Sequence, residues 1–169
     1  MPQSFVNEST PTVESESPEP ASEAVGHALP ARPRRILVVD DEPAARVLGK
    51  RVFSEAGFEV TTVQSGFECL ELFRQHTRYF DLILLDLSMP FMDGEETFGR
   101  LRGIRPDVTV LLSTGFIAKE RLDRMLAAGM AGFLRKPHRP DEMVAHVRSV
   151  LERAKIARAG CLVNTLAAS

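Results

Sequence analysis

The sequence has few of the residues and segments that mark secreted, membrane and nucleic-acid-binding proteins. It contains only two cysteines, Cys69 in a helical pattern and Cys161 near the carboxyl terminus. Two cysteines are too few for a disulfide framework, so we expect both to be reduced in a cytoplasmic protein. We expect no secretory signal and no membrane span, because no apolar run approaches the roughly 20 residues that cross a bilayer. A net charge of −2 gives no general attraction for nucleic acid.

The first 33 residues differ in composition from the rest of the chain. Residues 1 to 31 hold five of the 23 acidic residues and none of the 21 basic ones. They are also rich in Pro and Ser and poor in large apolar side chains. Such a segment cannot bury enough surface to offset its ordering entropy, so we predict that it is disordered. It is either an interaction tail or, as the composition favours, a solvated leader that the domain does not need for folding.

Five short apolar runs alternate with five helical patterns after this leader. The predicted strands are residues 35–39, 58–63, 80–85, 108–113 and 131–135, and a tail is predicted at 158–169. Helices are predicted from Pro43 to before Gly57, from Ser65 to about His76, and over 95–102, 118–129 and 140–157. Near-continuous apolar strands separated by helices indicate an α/β fold in which helices cover both faces of a parallel sheet.

Polar side chains follow four of the five predicted strands. Asp40 and Asp41 follow the first strand, Asp86 the third, Thr114 the fourth and Lys136 the fifth. Each residue alone has an ordinary explanation, as a helix cap, a turn residue, a loop hydroxyl or a solvated surface charge. Parallel strands bring all of these ends to one edge of the sheet, where ligands bind in such folds. Three carboxylates gathered there need a counter-charge, and Mg²⁺ prefers oxygen ligands of this kind.

The motifs that carry these residues resemble the receiver domain of bacterial two-component response regulators. They are "LVVDDE", "DLILLDLSMPFMDG", "LLSTGF" and "FLRKP", in this order and each at a predicted strand end. The resemblance covers about residues 34 to 157. It implies a flavodoxin-like three-layer sandwich whose five-stranded parallel sheet has the order 2-1-3-4-5. The "STGF" form is similar to receivers attached to hybrid histidine kinases.

The resemblance also implies a phosphoryl site and a metal site. Asp86 matches the phosphoacceptor, the nucleophile that forms an acyl phosphate. Asp41 and Asp86 match carboxylate ligands of Mg²⁺, with Mn²⁺ as an alternative ion. Asp40 would act mostly through water, and Ser88 would contribute its backbone carbonyl.

Three further residues match the family's switch. Thr114 matches the hydroxyl that moves onto the phosphoryl group, and Lys136 the ammonium that pairs with a phosphoryl oxygen. Phe133 stands at the rotating aromatic position, where it lacks the hydroxyl of a tyrosine. The resemblance also implies a cis bond between Lys136 and Pro137.

Two positions depart from the commonest family pattern. His138 follows "KP", where a Phe is more usual, and we expect a solvent-facing loop residue there. Phe116 places a large apolar ring two residues after Thr114. It either covers the phosphoryl entrance, which would slow hydrolysis, or packs against the "MPF" segment.

These features favour a signalling receiver that takes a phosphoryl group from a histidine kinase and then changes its partner binding. The expected phosphodonors are a sensor kinase, a hybrid kinase or a histidine phosphotransfer protein. No output domain is evident, so we expect a separate downstream protein or a dimer formed through the fourth helix, fifth strand and fifth helix. Such a domain catalyses only its own phosphorylation and dephosphorylation.

Two other functions stay open at this point. The first is a metal-dependent phosphatase or phosphotransferase with an aspartyl nucleophile. Such enzymes commonly carry a second acid two residues after the nucleophile, where this chain has Ser88. The second is a binding module whose interface is constitutive and never phosphorylated.

Overall fold

The computed structural model describes the backbone of residues 32–166 and the side chains of residues 32–158. The disorder predicted for the leader concerns residues 1–31, which lie outside the described residues. The strands are β1 (Arg35–Val39), β2 (Glu59–Val63), β3 (Leu82–Asp86), β4 (Val110–Thr114) and β5 (Gly132–Arg135). The helices are α1 (Pro43–Glu55), α2 (Gly66–Gln75), α3 (Gly94–Ile104), α4 (Lys119–Ala127) and α5 (Pro140–Leu166).

The five strands form one parallel sheet in the order β2-β1-β3-β4-β5, with a helix after each strand. This confirms the predicted fold and strand order. In the register of the sheet, Asp86 at the end of β3 lies level with Ser113 of β4. Because all strands run the same way, their carboxyl ends share one edge, which we call the carboxyl edge, and their starts share the amino edge.

The core has two parts, one on each face of the sheet. Alternate residues of β1 point to opposite faces, so Leu37 joins one buried cluster and Val38 the other. The cluster with Leu37 packs against α2, α3 and α4, for example through Phe73. The cluster with Val38 packs against α1 and α5, for example through Val147. Both faces are covered, which is why the three inner strands, β1, β3 and β4, are apolar at most positions.

Several element boundaries differ from the prediction. β3 and β4 each begin and end later than predicted, so Asp86 and Thr114 are the last residues of their strands rather than the first loop residues. α5 continues to Leu166, so the prediction that the helix stops at residue 157 and a tail follows is wrong. That extension, RAGCLVNTL, contains no proline, and its single Gly160 costs only about 1 kcal/mol in a helix. No helix in the described part of the chain, α5 included, is long and apolar enough to cross a membrane.

A buried ion-pair cluster ties the start of β1 to the start of β3. Asp81 is 7% exposed and accepts a bond of 2.8 Å from the Arg35 amide. It also accepts two bonds from the Arg32 guanidinium, at 2.9 and 3.2 Å, and one from Arg34 at 3.4 Å. Arg32 is therefore part of this contact with β3, although the predicted leader extended to residue 33.

Replacing Asp81 with Asn should lower the free energy of unfolding by about 2 kcal/mol at neutral pH, because hydrogen bonds to a charged group are lost. Burial opposes the charge of Asp81, but the bonds from Arg35 and Arg32 outweigh it and lower the pKa. A lowered pKa stabilises the fold above the ordinary aspartate pKa, and that contribution is lost as the pH falls through the folded pKa.

The stability difference between the natural chain and the Asn variant should therefore shrink below about pH 4. Urea denaturation at several pH values measures it. A difference that stays constant down to acid pH would contradict the role of the charge.

Candidate functional site

The structure brings the predicted polar residues together at the carboxyl edge. Asp40 directly follows β1, Asp86 and Thr114 end β3 and β4, and Lys136 directly follows β5. Asp40 and Asp86 are each 4% exposed, and Thr114 is 2% exposed. Asp41, by contrast, is exposed. Buried carboxylates are costly unless they are paired, so the partners of these acids decide what the site can do.

The three acids can offer oxygen atoms to one ion. One carboxylate oxygen from each of Asp40, Asp41 and Asp86 lies within 4.8 Å of the others. Oxygen donors of this kind suit Mg²⁺, which usually keeps several waters and binds through one or two carboxylates. The exposed side of the site, where Asp41 lies, leaves room for those waters. The residues present therefore fit the predicted metal.

The Lys136 ammonium lies between two of the acids. Its Nζ donates to Asp40 Oδ2 and to Asp86 Oδ1, each at 2.7 Å. Burial opposes the charge on Lys136, but these two bonds outweigh it and raise the pKa of the ammonium. Burial also raises the pKa of Asp86, and repulsion from Asp40 adds to this, while Lys136 acts in the opposite sense. One lysine thus does not fully offset the buried negative charge, which leaves the site receptive to another cation.

Main-chain groups hold the remaining carboxylate oxygens. Asp40 Oδ1 accepts the Glu42 amide at 3.0 Å, and Asp86 Oδ2 accepts the Ser88 amide at 2.7 Å. The explanation of Asp40 or Asp41 as a helix cap is wrong, because Glu42 occupies the N-cap position of α1 and makes no side-chain cap bond. The carboxylates are therefore oriented by loops that leave them facing the site.

Sequence reasoning missed Arg46. Its guanidinium donates to the main-chain carbonyls of Asp40 at 2.8 Å and Asp41 at 2.9 Å. Arg46 therefore fixes the loop that carries both acids and adds positive charge behind it. The one available signal was an arginine one turn into the helix that follows the acids, and this pattern alone does not distinguish a tether from a solvated side chain.

The Thr114 hydroxyl points away from the acids in this structure. Its Oγ1 donates to the main-chain carbonyl of Phe116 at 2.7 Å. The Phe116 ring is 78% exposed, so the alternative in which it packs against the "MPF" segment is wrong. Phe133 on β5 is 36% exposed, which places the predicted switch aromatic at the surface. The Phe116 ring can therefore move with little loss of packing, whereas Phe133 is still partly packed.

His138 is not the solvent-facing residue that we expected. Its Nε2 lies 2.8 Å from Ser113 Oγ, and its Nδ1 lies 3.1 Å from the Arg135 carbonyl oxygen. Burial lowers the pKa of His138. A carbonyl can only accept, so neutral His138 donates from Nδ1 and accepts the Ser113 hydroxyl at Nε2. The ring thereby links the loop after β5 to β4, and the bond between Lys136 and Pro137 in that loop is cis.

A parallel five-stranded sheet with paired acids, a hydroxyl and a lysine at its carboxyl edge is the arrangement of a receiver. The model of the family "Response regulator receiver domain" matches residues 36–148. The chain therefore belongs to this family, the receiver domains of two-component systems. This confirms the resemblance that the sequence motifs indicated.

Individual relatives agree with this assignment. Response regulator MprA of Mycobacterium sp. (strain KMS) is 36% identical over 121 residues, which cover 72% of this chain and 52% of MprA. The chain thus spans about half the length of the curated relatives it matches first. A response regulator receiver domain protein from Clostridium thermocellum has a TM-score of 0.69 at 26% identity, covering 73% of this chain and 98% of that one.

A third similarity concerns the fold alone. It is to the CheX-CheY-BeF3-Mg complex from Borrelia burgdorferi, with a TM-score of 0.67 and 24% identity. The match covers 70% of this chain and 89% of that one.

Proposed function

We propose that this chain is a phosphorylation-activated signalling receiver whose phosphoacceptor is Asp86. The observation that carries the proposal is the buried Asp86 carboxylate, with Lys136 at 2.7 Å and the oxygens of Asp40 and Asp41 within 4.8 Å. Phosphoryl transfer depends on positioning and on offsetting charge that spreads over the phosphoryl oxygens. Asp40, Asp41 and Lys136 surround Asp86 closely enough to position a donor, and the Lys136 ammonium and a bound cation would offset the phosphoryl charge. The expected site of action is the cytoplasm, where two-component kinases present phosphohistidine.

The reaction is a transfer between two side chains. A carboxylate oxygen of Asp86 forms a bond to the phosphorus of a donor phosphohistidine, and the phosphorus–nitrogen bond breaks. The electron pair of that bond stays on the imidazole nitrogen, which takes a proton from solvent. Lys136 has a third N–H besides the two that it donates to Asp40 and Asp86, and this N–H can bind a phosphoryl oxygen.

A metal would be held by Asp41 and Asp86, with Asp40 acting mostly through water and Ser88 contributing its backbone carbonyl. Bound Mg²⁺ supplies positive charge that offsets the repulsion between these acids and an anionic donor. The CheX-CheY complex from Borrelia burgdorferi contains Mg together with BeF3. That protein shares the fold, which supports the same ion here.

The proposed output is a shift between two conformations. The Thr114 hydroxyl would leave the Phe116 carbonyl and donate to the phosphoryl group, and Phe133 would turn inward behind it. The phosphoryl group then favours one state because only that state receives the Thr114 hydrogen bond. Binding to a downstream protein, or dimerisation through α4, β5 and α5, would read out the change.

Two variants test the metal site. Asp41→Ala should reduce Mg²⁺-dependent labelling by acetyl phosphate by about a hundredfold, since it removes a charged ligand. Glu42→Ala should change labelling less than about twofold, because the proposed metal ligands do not include Glu42. The measurement is incorporation of phosphate against Mg²⁺ concentration. Labelling that survives an excess of chelator, or equal losses in both variants, would contradict the proposal.

The enzyme alternative makes a different prediction from the same site. A phosphatase needs an acid to protonate the leaving group, and the residue two after Asp86 is Ser88, whose amide already binds Asp86 at 2.7 Å. Sustained hydrolysis of a small phosphate ester, rather than one labelling event for each chain, would establish the enzyme instead.

The lifetime of the phosphoryl group should depend on Phe116. Hydrolysis needs a water in line with phosphorus, and an apolar ring at the entrance cannot orient one. Phe116→Glu and Phe116→Asn should therefore lose phosphate about tenfold faster, while Phe116→Leu should resemble the natural chain. Because the ring is 78% exposed, all three variants should keep the melting temperature within about 2 °C. Equal rates of phosphate loss from the purified proteins would show that the Phe116 ring does not keep water from the phosphoryl group.

A further inference from the structure

A groove lies at the amino edge of the sheet, the edge opposite the acids. Its volume is about 890 Å³, and it runs between the starts of β4 and β5 and the middle of α5. Its floor is apolar: Val108 is 3% exposed and Val150 is 1% exposed, and Ala131 and Ala154 are half-buried beside them. The half-buried Ala131 and Ala154 still expose apolar surface, which a ligand with apolar groups would remove from water.

The rim of this groove is strongly basic. Four arginines line it, Arg78, Arg102, Arg153 and Arg158, against a single carboxylate, that of Asp107. The Asp107 carboxylate already forms two ion pairs, one with Arg158 at 3.7 Å and one with the neighbouring Arg105 at 3.6 Å.

The other rim arginines lack such a partner. Within the described part of the chain, Arg78, Arg102 and Arg153 form no ion pair. Like charges gathered around an apolar floor repel one another, and an anionic ligand would offset this repulsion.

One rim guanidinium lies close to the backbone just after α4. Gly129, two residues beyond the end of α4, has a φ of 94°, a left-handed conformation that favours glycine. A Cβ at this position would lie 2.8 Å from Arg102 Nη1, so the guanidinium occupies space that any other residue would fill. The glycine at position 129 therefore leaves room for the Arg102 guanidinium at the rim of the groove.

We propose that this groove binds an acidic peptide segment of a partner protein. The carboxylates of the segment would pair with the rim guanidiniums, whose planar geometry matches carboxylates. Its apolar side chains would lie on the floor beside Val108 and Val150. An inorganic anion would leave this floor exposed, so the floor favours an amphipathic ligand.

The groove is separate from the proposed phosphorylation site but borders the same elements. Ala131 directly precedes β5, and Ala154 lies on α5. If phosphorylation shifts these elements, peptide affinity and phosphorylation must influence each other by the same factor at equilibrium.

The experiment measures binding of the full chain to a fluorescent peptide in which Glu and Leu alternate. A matched peptide with Lys in place of Glu serves as the control ligand. The acidic peptide should bind, the basic one should not, and Arg102→Glu and Arg153→Glu should each weaken binding at least about tenfold. Arg51→Glu makes the same charge change at an exposed position of α1 that does not line this groove, and it should change affinity less than about twofold.

A second kind of variant distinguishes binding in the groove from a general attraction between the basic surface and an acidic peptide. Ala154→Trp fills the groove without changing any charge, so it should abolish peptide binding while circular dichroism and acetyl phosphate labelling stay normal. Binding that survives Ala154→Trp, or that falls equally in Arg51→Glu, would overturn the proposal. So would tighter binding of a thymidine oligonucleotide of equal charge, or no binding of the acidic peptide at millimolar concentration.

Discussion

The variant Asp86→Asn should lose phosphoryl labelling by acetyl phosphate and Mg²⁺ almost completely, by about a thousandfold or more. The amide keeps the shape of the carboxylate but is not a nucleophile toward phosphorus. Its carbonyl oxygen can still accept from Lys136 or from the Ser88 amide, so the surrounding bonds can persist. Asp123→Asn, which changes an exposed acid on α4, is the matched control and should label like the natural chain.

Loss of labelling in the Asn variant should not arise from unfolding. Burial raises the pKa of Asp86, which means that the folded state disfavours its charge. Removing that charge should leave the melting temperature unchanged or slightly higher, and a thermal scan checks this. Full labelling of the Asn variant would show that another residue is the phosphoacceptor.

The variant Gly94→Ala should cause the largest loss of stability among single methyl additions at the site. A Cβ on Gly94 would overlap the Asp86 carbonyl oxygen and would lie 2.8 Å from Leu87 Cα. Both are backbone atoms, so the loop after β3 must shift to accept the methyl group. We expect the free energy of unfolding to fall by about 3 kcal/mol. Because this loop directly follows Asp86, labelling by acetyl phosphate should fall as well.

Gly99→Ala is the control for this prediction. Gly99 lies within the same helix, α3, and a Cβ there would have no atom within 4 Å. Alanine is the better helix former, so the free energy of unfolding of this variant should rise by about 1 kcal/mol. Urea denaturation of both variants measures the difference. Equal free energies of unfolding for Gly94→Ala and Gly99→Ala would show that the loop after Asp86 can shift at little energetic cost.

The family and the strand order were predictable because the informative signals are local. Each strand is an apolar run, and each motif places its polar residue at the end of such a run. Boundaries were less predictable. The apolar run that holds β3 begins at Phe80, but the strand begins at Leu82, since pairing with β1 and β4 decides where the ladder starts. α5 extends beyond its predicted end at residue 157, because no proline follows that residue.

The sequence by itself determined which chemical groups reach the carboxyl edge, because the direction of each parallel strand follows from the alternation of strand and helix. Only the tertiary structure decided how these groups pair. Lys136 is 96 residues from Asp40, and its ammonium donates one hydrogen bond to Asp40 and one to Asp86. His138 turned inward because Ser113, 25 residues away, offers a hydroxyl at 2.8 Å. Such pairs depend on distances across the folded sheet, which residue type and spacing along the chain do not encode.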